Sequence, residues 1–252
     1  GPADARKILI IGWSGYIGAP VTAALLEAGH QVRNLDIDIY QNGSSVAGFL
    51  LHPRYSFMRG DLANAQDLDR ALDGITDVVL LAGLVGDPIT KKYPEESHAI
   101  NDAGIQKAIG ALNGRKLNKV IFVSTCSNYG LIEGGEMATE ETELKPLSLY
   151  AKSKVAAETH LLGLKGKVDF NPVVLRFATA FGLAPRMRFD LTVNEFARAL
   201  FLRQDLLVFD AHTWRPYCHV RDFSRLILRV LDFPVADISF QVFNAGGDKN
   251  NH

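Results

Sequence analysis

Two residues able to exchange a proton, Tyr150 and Lys154, stand four positions apart in the second half of the chain. If the segment around them is helical, both side chains lie on one face, and the lysine ammonium sits close to the phenol. A nearby positive charge favours the phenolate. Lys154 is therefore expected to lower the pKa of Tyr150 from about 10 toward the range in which a general base works at neutral pH. The same spacing occurs on ordinary amphipathic helices with a solvated lysine, so other motifs must decide between the two interpretations.

A glycine-rich turn near the amino terminus provides such a motif. An apolar run at residues 7–11 precedes the turn, and a segment with helical spacing of its apolar residues follows it. This order predicts strand, turn and helix, in which glycines let backbone N–H groups approach a diphosphate at the positive end of the helix. Residues 31–36 predict a second strand ending at Asp36, whose carboxylate can accept hydrogen bonds from an adenosine ribose. The turn itself reads Gly12, Trp13, Ser14, Gly15, Tyr16, Ile17 and Gly18, a G-x-x-G-x-x-G spacing.

The glycine spacing, taken together with Thr125, Tyr150 and Lys154, resembles the extended short-chain dehydrogenase/reductase superfamily. Within that superfamily the chain is most similar to the NAD-dependent nucleotide-sugar epimerase/dehydratase family. The similarity extends along nearly the whole chain, because further matching segments follow in the same order. They are Gly60-Asp61-Leu62, residues 81–88, Asn101, residues 175–182 and residues 214–222.

The resemblance implies a role for each of these residues. Tyr150 would be the base that exchanges a proton with a sugar hydroxyl, and Thr125 would hydrogen-bond the same hydroxyl. Lys154 would tune Tyr150 and bind the nicotinamide ribose, and Asn101 would be either part of a proton relay or an ordinary polar helix residue. The residues expected to bind the cofactor are Gly12, Gly15, Tyr16, Ile17, Gly18, Asp36, Asp61, Leu62, Ala82, Tyr150 and Lys154, and those expected to contact the substrate are Thr125, Cys126 and Arg215.

The two residues after Thr125 bear on the type of reaction. Related 4,6-dehydratases and decarboxylases usually carry a carboxylate there, because elimination needs an additional acid or base, whereas this chain has Cys126 and Ser127. The resemblance therefore favours an epimerase acting on a nucleotide-diphosphate sugar through a transient keto sugar. A keto-sugar reductase or a 4,6-dehydratase is the alternative, and a steroid or flavonoid ketoreductase is a third. Cys126 is expected to be a packed thiol rather than an acid or base.

The choice of dinucleotide depends on the end of the second strand. A 2′-phosphate is usually paired by an arginine or lysine there, whereas Asp36 and Asp38 would repel it, so NAD is the expected cofactor. Arg33 is expected to face solvent. Arg215 matches the family arginine that grips the nucleotide diphosphate, a task suited to a planar, permanently charged group.

Alternation of apolar strands and amphipathic segments predicts an α/β fold with a Rossmann-like, doubly wound parallel sheet. The expected strands are residues 7–11, 31–36, 55–59, 78–82, 119–124, 172–176 and 240–243. We expect an NAD-binding domain at residues 3–176, completed by a strand at about 238–246. Residues 177–237 are expected to form a small substrate-binding lobe, which is incomplete at its carboxyl end by comparison with the family.

Composition excludes several other classes. The net charge of −1, with lysines and arginines dispersed, argues against nucleic acid as a partner, and no apolar stretch is long enough to span a bilayer. Histidine and cysteine spacing gives no support for a metal site. We therefore expect a cytoplasmic enzyme that, like its relatives, is a homodimer. A catalytically silent protein that binds NAD as a sensor or scaffold remains an alternative, although such proteins usually lose the tyrosine or the lysine.

Overall fold

A parallel sheet forms the centre of the molecule in the computed structural model, which describes residues 5–12, 16–37, 46–81, 94–130, 138–184, 187–188, 190–205 and 217–246. Seven strands of the described residues lie in the order β3-β2-β1-β4-β5-β6-β9, and every neighbouring pair is parallel. This confirms the predicted fold class. The strands are β1 (Lys7–Ile11), β2 (Gln31–Asp36), β3 (Tyr55–Arg59), β4 (Asp77–Leu80), β5 (Lys119–Thr125), β6 (Asn171–Phe177) and β9 (Gln241–Ala245).

Successive side chains of the central strands point to opposite faces of the sheet, and each face carries its own apolar layer. In β1, Ile8 and Ile10 contribute to one layer, and Leu9 and Ile11 to the other. Because both layers are buried, β1, β4, β5 and β6 are largely apolar runs, as expected for parallel strands covered by helices on both faces.

The helices complete these layers. One face is covered by α1 (Gly18–Glu27) and α6 (Val220–Asp232), and the other by α2 (Ala65–Leu72), α3 (Pro94–Ala111) and α4 (Leu149–Leu162). Among the residues that the structure describes, no helix combines the length and the apolar character required to cross a membrane.

A second, smaller sheet lies between β6 and β9 in the sequence. It pairs β7 (Thr179–Phe181) with β8 (Tyr217–His219) in parallel, and α5 (Thr192–Phe201) separates these strands along the chain. The following helix, α6, falls within the predicted lobe, yet it packs against α1 and buries Phe223 and Ile227 in the layer on the main sheet. A short helix, α7 (Val235–Ile238), leads into β9. The division into a cofactor domain and a lobe stays a prediction.

Candidate active site

The turn after β1 is built to bring backbone close to a ligand. Gly12 has a φ of +87°, which a residue with a side chain rarely adopts, and its N–H donates to the Leu35 carbonyl at 3.0 Å. Helix α1 begins at Gly18 behind Ile17, which provides no side-chain cap, and its first turn contains no acidic residue. In the described part of this turn, the N-cap side chain therefore leaves the N–H groups of the helix end open to an anionic group.

The side chain of Tyr16 is directed away from this turn toward the segment that carries β7. Its hydroxyl donates to the Gly182 carbonyl and accepts a hydrogen bond from Asn194 Nδ2 at 3.2 Å. Burial raises the pKa of Tyr16, although the hydrogen bond from Asn194 opposes that shift. Because the hydroxyl is already engaged, Tyr16 would contribute to a cofactor site through its main chain.

Two carboxylates lie where β2 and β3 end. Asp36 is buried, and its carbonyl accepts the Gly60 N–H at 3.0 Å, which holds the loop after β3 against the end of β2. In that loop, Asp61 Oδ1 accepts the Ala63 N–H at 2.9 Å, and Leu62 is half-buried. The structure thus brings Asp36, Asp61 and Leu62 to one edge of the sheet, the edge at which the sequence predicts the adenosine half of the cofactor.

Arg33 is only partly exposed and is bound to backbone carbonyls, so the expectation that it faces solvent was wrong in part. Its Nη1 donates to the Ala71 carbonyl at 2.8 Å and the Asp73 carbonyl at 3.0 Å. These carbonyls end α2, where a positive charge is favourable, and the side chain is half-buried there. Arg33 is therefore already occupied and does not serve the ligand edge of the sheet.

The predicted catalytic threonine ends β5 and begins a short 3₁₀ helix, Cys126–Tyr129. Thr125 Oγ1 accepts the Ser127 N–H at 3.1 Å, so the hydroxyl caps this turn. The hydroxyl hydrogen is not used by that contact, and Thr125 is half-buried. It can therefore still donate to an oxygen at the carboxyl edge of the sheet.

Tyr150 and Lys154 share one face of α4, as the spacing predicts. Ser148 caps the helix, its Oγ accepting the Ala151 N–H at 3.0 Å, and Tyr150 follows in the first turn. Lys154 is not solvated but buried: its Nζ donates to the Val123 carbonyl at 2.9 Å and lies 5.7 Å from the Tyr150 ring centroid. The interpretation as an ordinary surface helix is thereby excluded, and Lys154 connects α4 to β5 two residues before Thr125.

The predicted lowering of the Tyr150 pKa is wrong for this structure. Loss of hydration raises the pKa of Tyr150, and the positive charge of Arg188 only partly opposes this. Water still reaches 41% of the side chain, which limits the shift. Burial also lowers the pKa of Lys154 to about 8, against the favourable charge of Glu158. Lys154 does not lower the Tyr150 pKa because its ammonium is directed at the Val123 carbonyl rather than at the phenol oxygen.

Cys126 is a packed thiol in the structure. Its Sγ donates to the Arg176 carbonyl at 3.2 Å, and burial raises its pKa to about 12 even though the charge of Arg176 opposes that shift. The thiol therefore stays protonated near neutral pH and is poorly suited to act as a base.

Helix α3 supports α4 through polar contacts. Ser153 Oγ donates to Asp102 Oδ1 at 2.7 Å and lies 2.7 Å from His98 Nδ1, and His98 Nε2 lies 3.2 Å from Asp102 Oδ2. Asn101, on the same helix, has a buried amide nitrogen with no hydrogen-bond partner in the part of the chain that is described.

Three expected site residues, Gly15, Ala82 and Arg215, lie outside the described residues. Within the described ranges, no group of three histidine, cysteine or acidic residues is arranged to hold a metal ion. The sequence analysis missed two residues that interact with expected site residues, Glu158 beside Lys154 and Asn194 beside Tyr16. Glu158 could have been found, because it follows Lys154 by the same four-residue step that separates Lys154 from Tyr150, whereas no sequence signal marked Asn194.

Comparison with known proteins agrees with this geometry. Residues 8–246 match the NAD dependent epimerase/dehydratase family. The structure is similar to that of UDP-glucuronic acid 4-epimerase from Bacillus cereus in complex with UDP-glucuronic acid and NAD. The TM-score is 0.83 and the identity 27%, over 96% of this chain and 78% of that chain.

Two sequence relatives differ in what their names describe. The chain is 28% identical over 251 residues to an uncharacterized UDP-glucose epimerase, YtcB, of Bacillus subtilis (strain 168), covering 96% of this chain and 77% of the relative. It is 30% identical over 173 residues to 3-beta-hydroxysteroid dehydrogenase of Mycolicibacterium neoaurum. That match covers 65% of this chain and 44% of the relative, so the chain spans less than half of the steroid enzyme.

Proposed function

Because the chain belongs to the NAD-dependent epimerase/dehydratase family, we propose that it is an NAD-dependent epimerase of a nucleotide-diphosphate sugar. The observation that carries the proposal is the position of Lys154, buried between β5 and α4 next to the Tyr150 ring. A buried lysine beside a half-exposed tyrosine at the ligand-binding edge of a parallel sheet is expected where a proton must be moved to or from a bound molecule.

The residues present fit NAD. The uncapped start of α1 and the close backbone approach at Gly12 suit its diphosphate, and Asp36 and Asp61 lie where its adenosine would bind. When bound, NAD supplies the acceptor and donor of a hydride. Lys154 would also hydrogen-bond the nicotinamide ribose, in keeping with the resemblance.

The proposed proton transfer uses Tyr150, Thr125 and Lys154. Tyr150, as a phenolate, would take the proton of a sugar hydroxyl that Thr125 holds by a hydrogen bond, while the hydrogen on the same carbon would leave as the hydride that bound NAD accepts. When that hydride returns to the keto sugar, Tyr150 would give the proton back to the carbonyl oxygen. Since loss of hydration raises the Tyr150 pKa, its deprotonation depends on positive charge nearby. The guanidinium of Arg188 and the start of α4 supply that charge, and the resemblance gives Lys154 the same role.

Epimerisation is favoured over elimination by the residues after Thr125. Elimination of water needs a further acid and base, and the protonated, hydrogen-bonded thiol of Cys126 does not provide a base. A keto-sugar reductase or a 4,6-dehydratase is the alternative within the family. Similarity to the Mycolicibacterium steroid enzyme favours a second candidate, a hydroxysteroid dehydrogenase, which would need the same three residues.

The proposal extends to parts of the protein beyond this site. Residues 177–237 would supply most of the substrate contacts, with Arg215 gripping the diphosphate. Two copies would pair through α3 and α4, and the enzyme would work in the cytoplasm.

We expect epimerisation to leave both sugar mass and total NADH unchanged, because the hydride removed from the sugar is returned to it. The protein would be incubated with NAD and UDP-, GDP-, CDP- and dTDP-sugars, separately with NADH and a nucleotide keto sugar, and separately with NAD and a 3β-hydroxysteroid. Chromatographic separation of the sugar epimers shows whether epimerisation occurs, and mass spectrometry and nicotinamide absorbance are recorded alongside it. A product lighter by one water would contradict the assignment of Cys126. NADH consumption with a keto sugar would identify a reductase, and NADH formation with the steroid a steroid dehydrogenase.

Asp36 is expected to make the protein prefer NAD to NADP. Charge-assisted hydrogen bonds to a ribose contribute about 1.5–3 kcal/mol, so Asp36→Asn should weaken NAD binding by roughly 10- to 150-fold and reduce the discrimination against NADP. Calorimetric titration with both dinucleotides measures this. Asp237→Asn, on the exposed surface of α7, is the matched control and should change neither affinity. Equal binding of NAD and NADP by the unchanged protein would contradict the proposed role.

A further inference from the structure

A buried ion pair lies one helical turn beyond Lys154. The Arg176 guanidinium meets the Glu158 carboxylate through two nitrogens, with Nη2 to Oε2 at 2.8 Å and Nε to Oε1 at 3.1 Å. Only 6% of the Arg176 side chain and 2% of the Glu158 side chain are exposed. The pair joins α4 to the end of β6.

Further hydrogen bonds connect this pair to the elements around Thr125. Asn128 Nδ2 donates to both Glu158 Oε1 and Ser124 Oγ at 3.0 Å, and Arg176 Nη1 donates to the Tyr129 hydroxyl at 2.9 Å. Ser124 directly precedes Thr125, and Asn128 lies in the 3₁₀ helix that Thr125 caps. One buried network therefore fixes α4 relative to the residues on both sides of Thr125.

Stability alone does not account for such a pair. Removing a charge from water costs several kcal/mol per ion in real proteins, even after relaxation. Apolar residues of similar volume can often replace a buried ion pair without loss of stability. Retention of both charges therefore suggests that position or electrostatics matters here.

The charged and titratable groups around Lys154 identify which charge matters. On its own helix it faces Tyr150 and Glu158, from β5 it meets the Val123 carbonyl, and on the α3 side Asp102 and His98 bind the adjacent Ser153. Arg176 in turn contacts the Tyr129 phenol and, through its carbonyl, the Cys126 thiol, and burial raises the pKa of both Tyr129 and Cys126, which keeps them neutral. Glu158 is the charge that favours the ammonium of Lys154.

We propose that the Glu158–Arg176 pair positions the catalytic helix: it holds α4 against the Thr125 turn, and Glu158 supplies the negative charge that keeps Lys154 an ammonium while Arg176 limits that charge. The catalytic part of this inference rests on the proposed function. The electrostatic part concerns Lys154 alone and is measurable without substrate.

The test is the titration of Lys154, which NMR monitors in protein labelled with [¹³Cε]lysine. The Lys154 signal is assigned by its loss in Lys154→Met. Burial lowers the pKa of Lys154 to about 8, so its titration is accessible. In Glu158→Gln the titration should move down by about one pH unit, because the favourable charge is lost. In Arg176→Met it should move up by about one unit, because Glu158 is no longer neutralised.

A purely structural role would not shift the Lys154 titration in opposite directions in Glu158→Gln and Arg176→Met. Equal titrations in the wild type and both variants, or shifts in the same direction, would overturn the proposal. Glu27→Gln, on the exposed face of α1, is the matched control and should leave the Lys154 titration unchanged.

The double variant Glu158→Gln/Arg176→Met keeps the proposal testable if either single variant fails to fold. It leaves no uncompensated buried charge, so it should fold. Its Lys154 titration should lie closer to that of the wild type than the titration of whichever single variant folds, because the two lost charges act in opposite directions. A titration in the double variant equal to that of the single variant would overturn the electrostatic role.

The pH dependence of turnover provides a second test of the Lys154 shift if a substrate is found. Since a lysine is charged only below its pKa, the alkaline loss of kcat/KM should move to lower pH in Glu158→Gln and to higher pH in Arg176→Met. Absence of turnover with every nucleotide sugar would contradict the proposed function while leaving the NMR result valid.

Discussion

Tyr150→Phe should fold and bind NAD, yet lose about 10²- to 10⁴-fold in kcat, because the substitution removes only the oxygen that would exchange the proton. The phenol is partly exposed at the start of α4, and the helix is capped by Ser148 independently of it. The ring would still cover Lys154, whose Nζ lies 5.7 Å from the ring centroid. Turnover is measured on whichever nucleotide sugar the wild type converts, and NAD binding by calorimetry.

Tyr55→Phe is the matched control for this loss. Tyr55 begins β3, at the opposite edge of the sheet from the Thr125 turn, and its hydroxyl accepts a hydrogen bond from Asn34 Nδ2 at 2.9 Å. Removing that hydroxyl should lower stability by about 1 kcal/mol and leave kcat unchanged. Near-normal turnover by Tyr150→Phe would mean that another group is the base.

The fold could be predicted from the sequence because burial on both faces makes the central strands β1, β4, β5 and β6 largely apolar runs. β1 and β2 have the predicted bounds, whereas β4 ends at Leu80, two residues before the predicted end at 82. The family, and with it NAD as the family's cofactor, could also be predicted, since the glycine turn and the Tyr150–Lys154 pair are local in sequence. The assignment of individual residues to catalysis or binding stays a prediction.

The environment of Lys154 could not be predicted, because it depends on residues distant in sequence. Helical spacing placed Lys154 beside Tyr150, but the partner that orients its ammonium is the Val123 carbonyl on β5. Loss of hydration then outweighs the charge of Arg188 at Tyr150 and the charge of Glu158 at Lys154. Arg33 shows the same limitation, since the carbonyls it binds belong to the end of α2, roughly forty residues away in the chain.

Contacts between segments far apart in the chain also explain the residues that were missed. Asn194 binds Tyr16 and the Gly182 N–H, and so connects the cofactor turn to the region of the small sheet. Tyr16 and Asn194 lie 178 positions apart in the sequence, and no periodic signal connects them. No sequence pattern indicates that Glu158 pairs with Arg176, although Glu158 continues the four-residue spacing of Tyr150 and Lys154 on α4.

The loop between the Thr125 turn and α4 depends on a position that only glycine can occupy. Gly130 ends the 3₁₀ helix with φ +69° and ψ −145°, a backbone conformation that costs other residues about 1–3 kcal/mol. A Cβ at this position would lie 2.1 Å from the Lys145 carbonyl oxygen. That carbonyl belongs to backbone held in place by the hydrogen bond from the Lys145 N–H to the Asn128 carbonyl at 2.9 Å. Relieving the clash therefore requires a shift of the backbone segment that leads from Lys145 to Ser148 and Tyr150.

Gly130→Ala should accordingly lower the free energy of unfolding by about 3–5 kcal/mol, the sum of backbone strain and steric displacement. Displacement of the segment before α4 should also reduce kcat if Tyr150 is the proposed base, since Tyr150 would shift relative to Thr125. Urea denaturation followed by circular dichroism measures the stability. Gly110→Ala is the matched control: Gly110 lies within α3, and a Cβ there would meet nothing within 4 Å. Alanine at that helical position should raise stability by about 0.5–1 kcal/mol, because it restricts the unfolded chain. If both substitutions raised stability alike, the loop would not be held against Lys145, and the path by which the Thr125 turn orients Tyr150 would have to lie elsewhere.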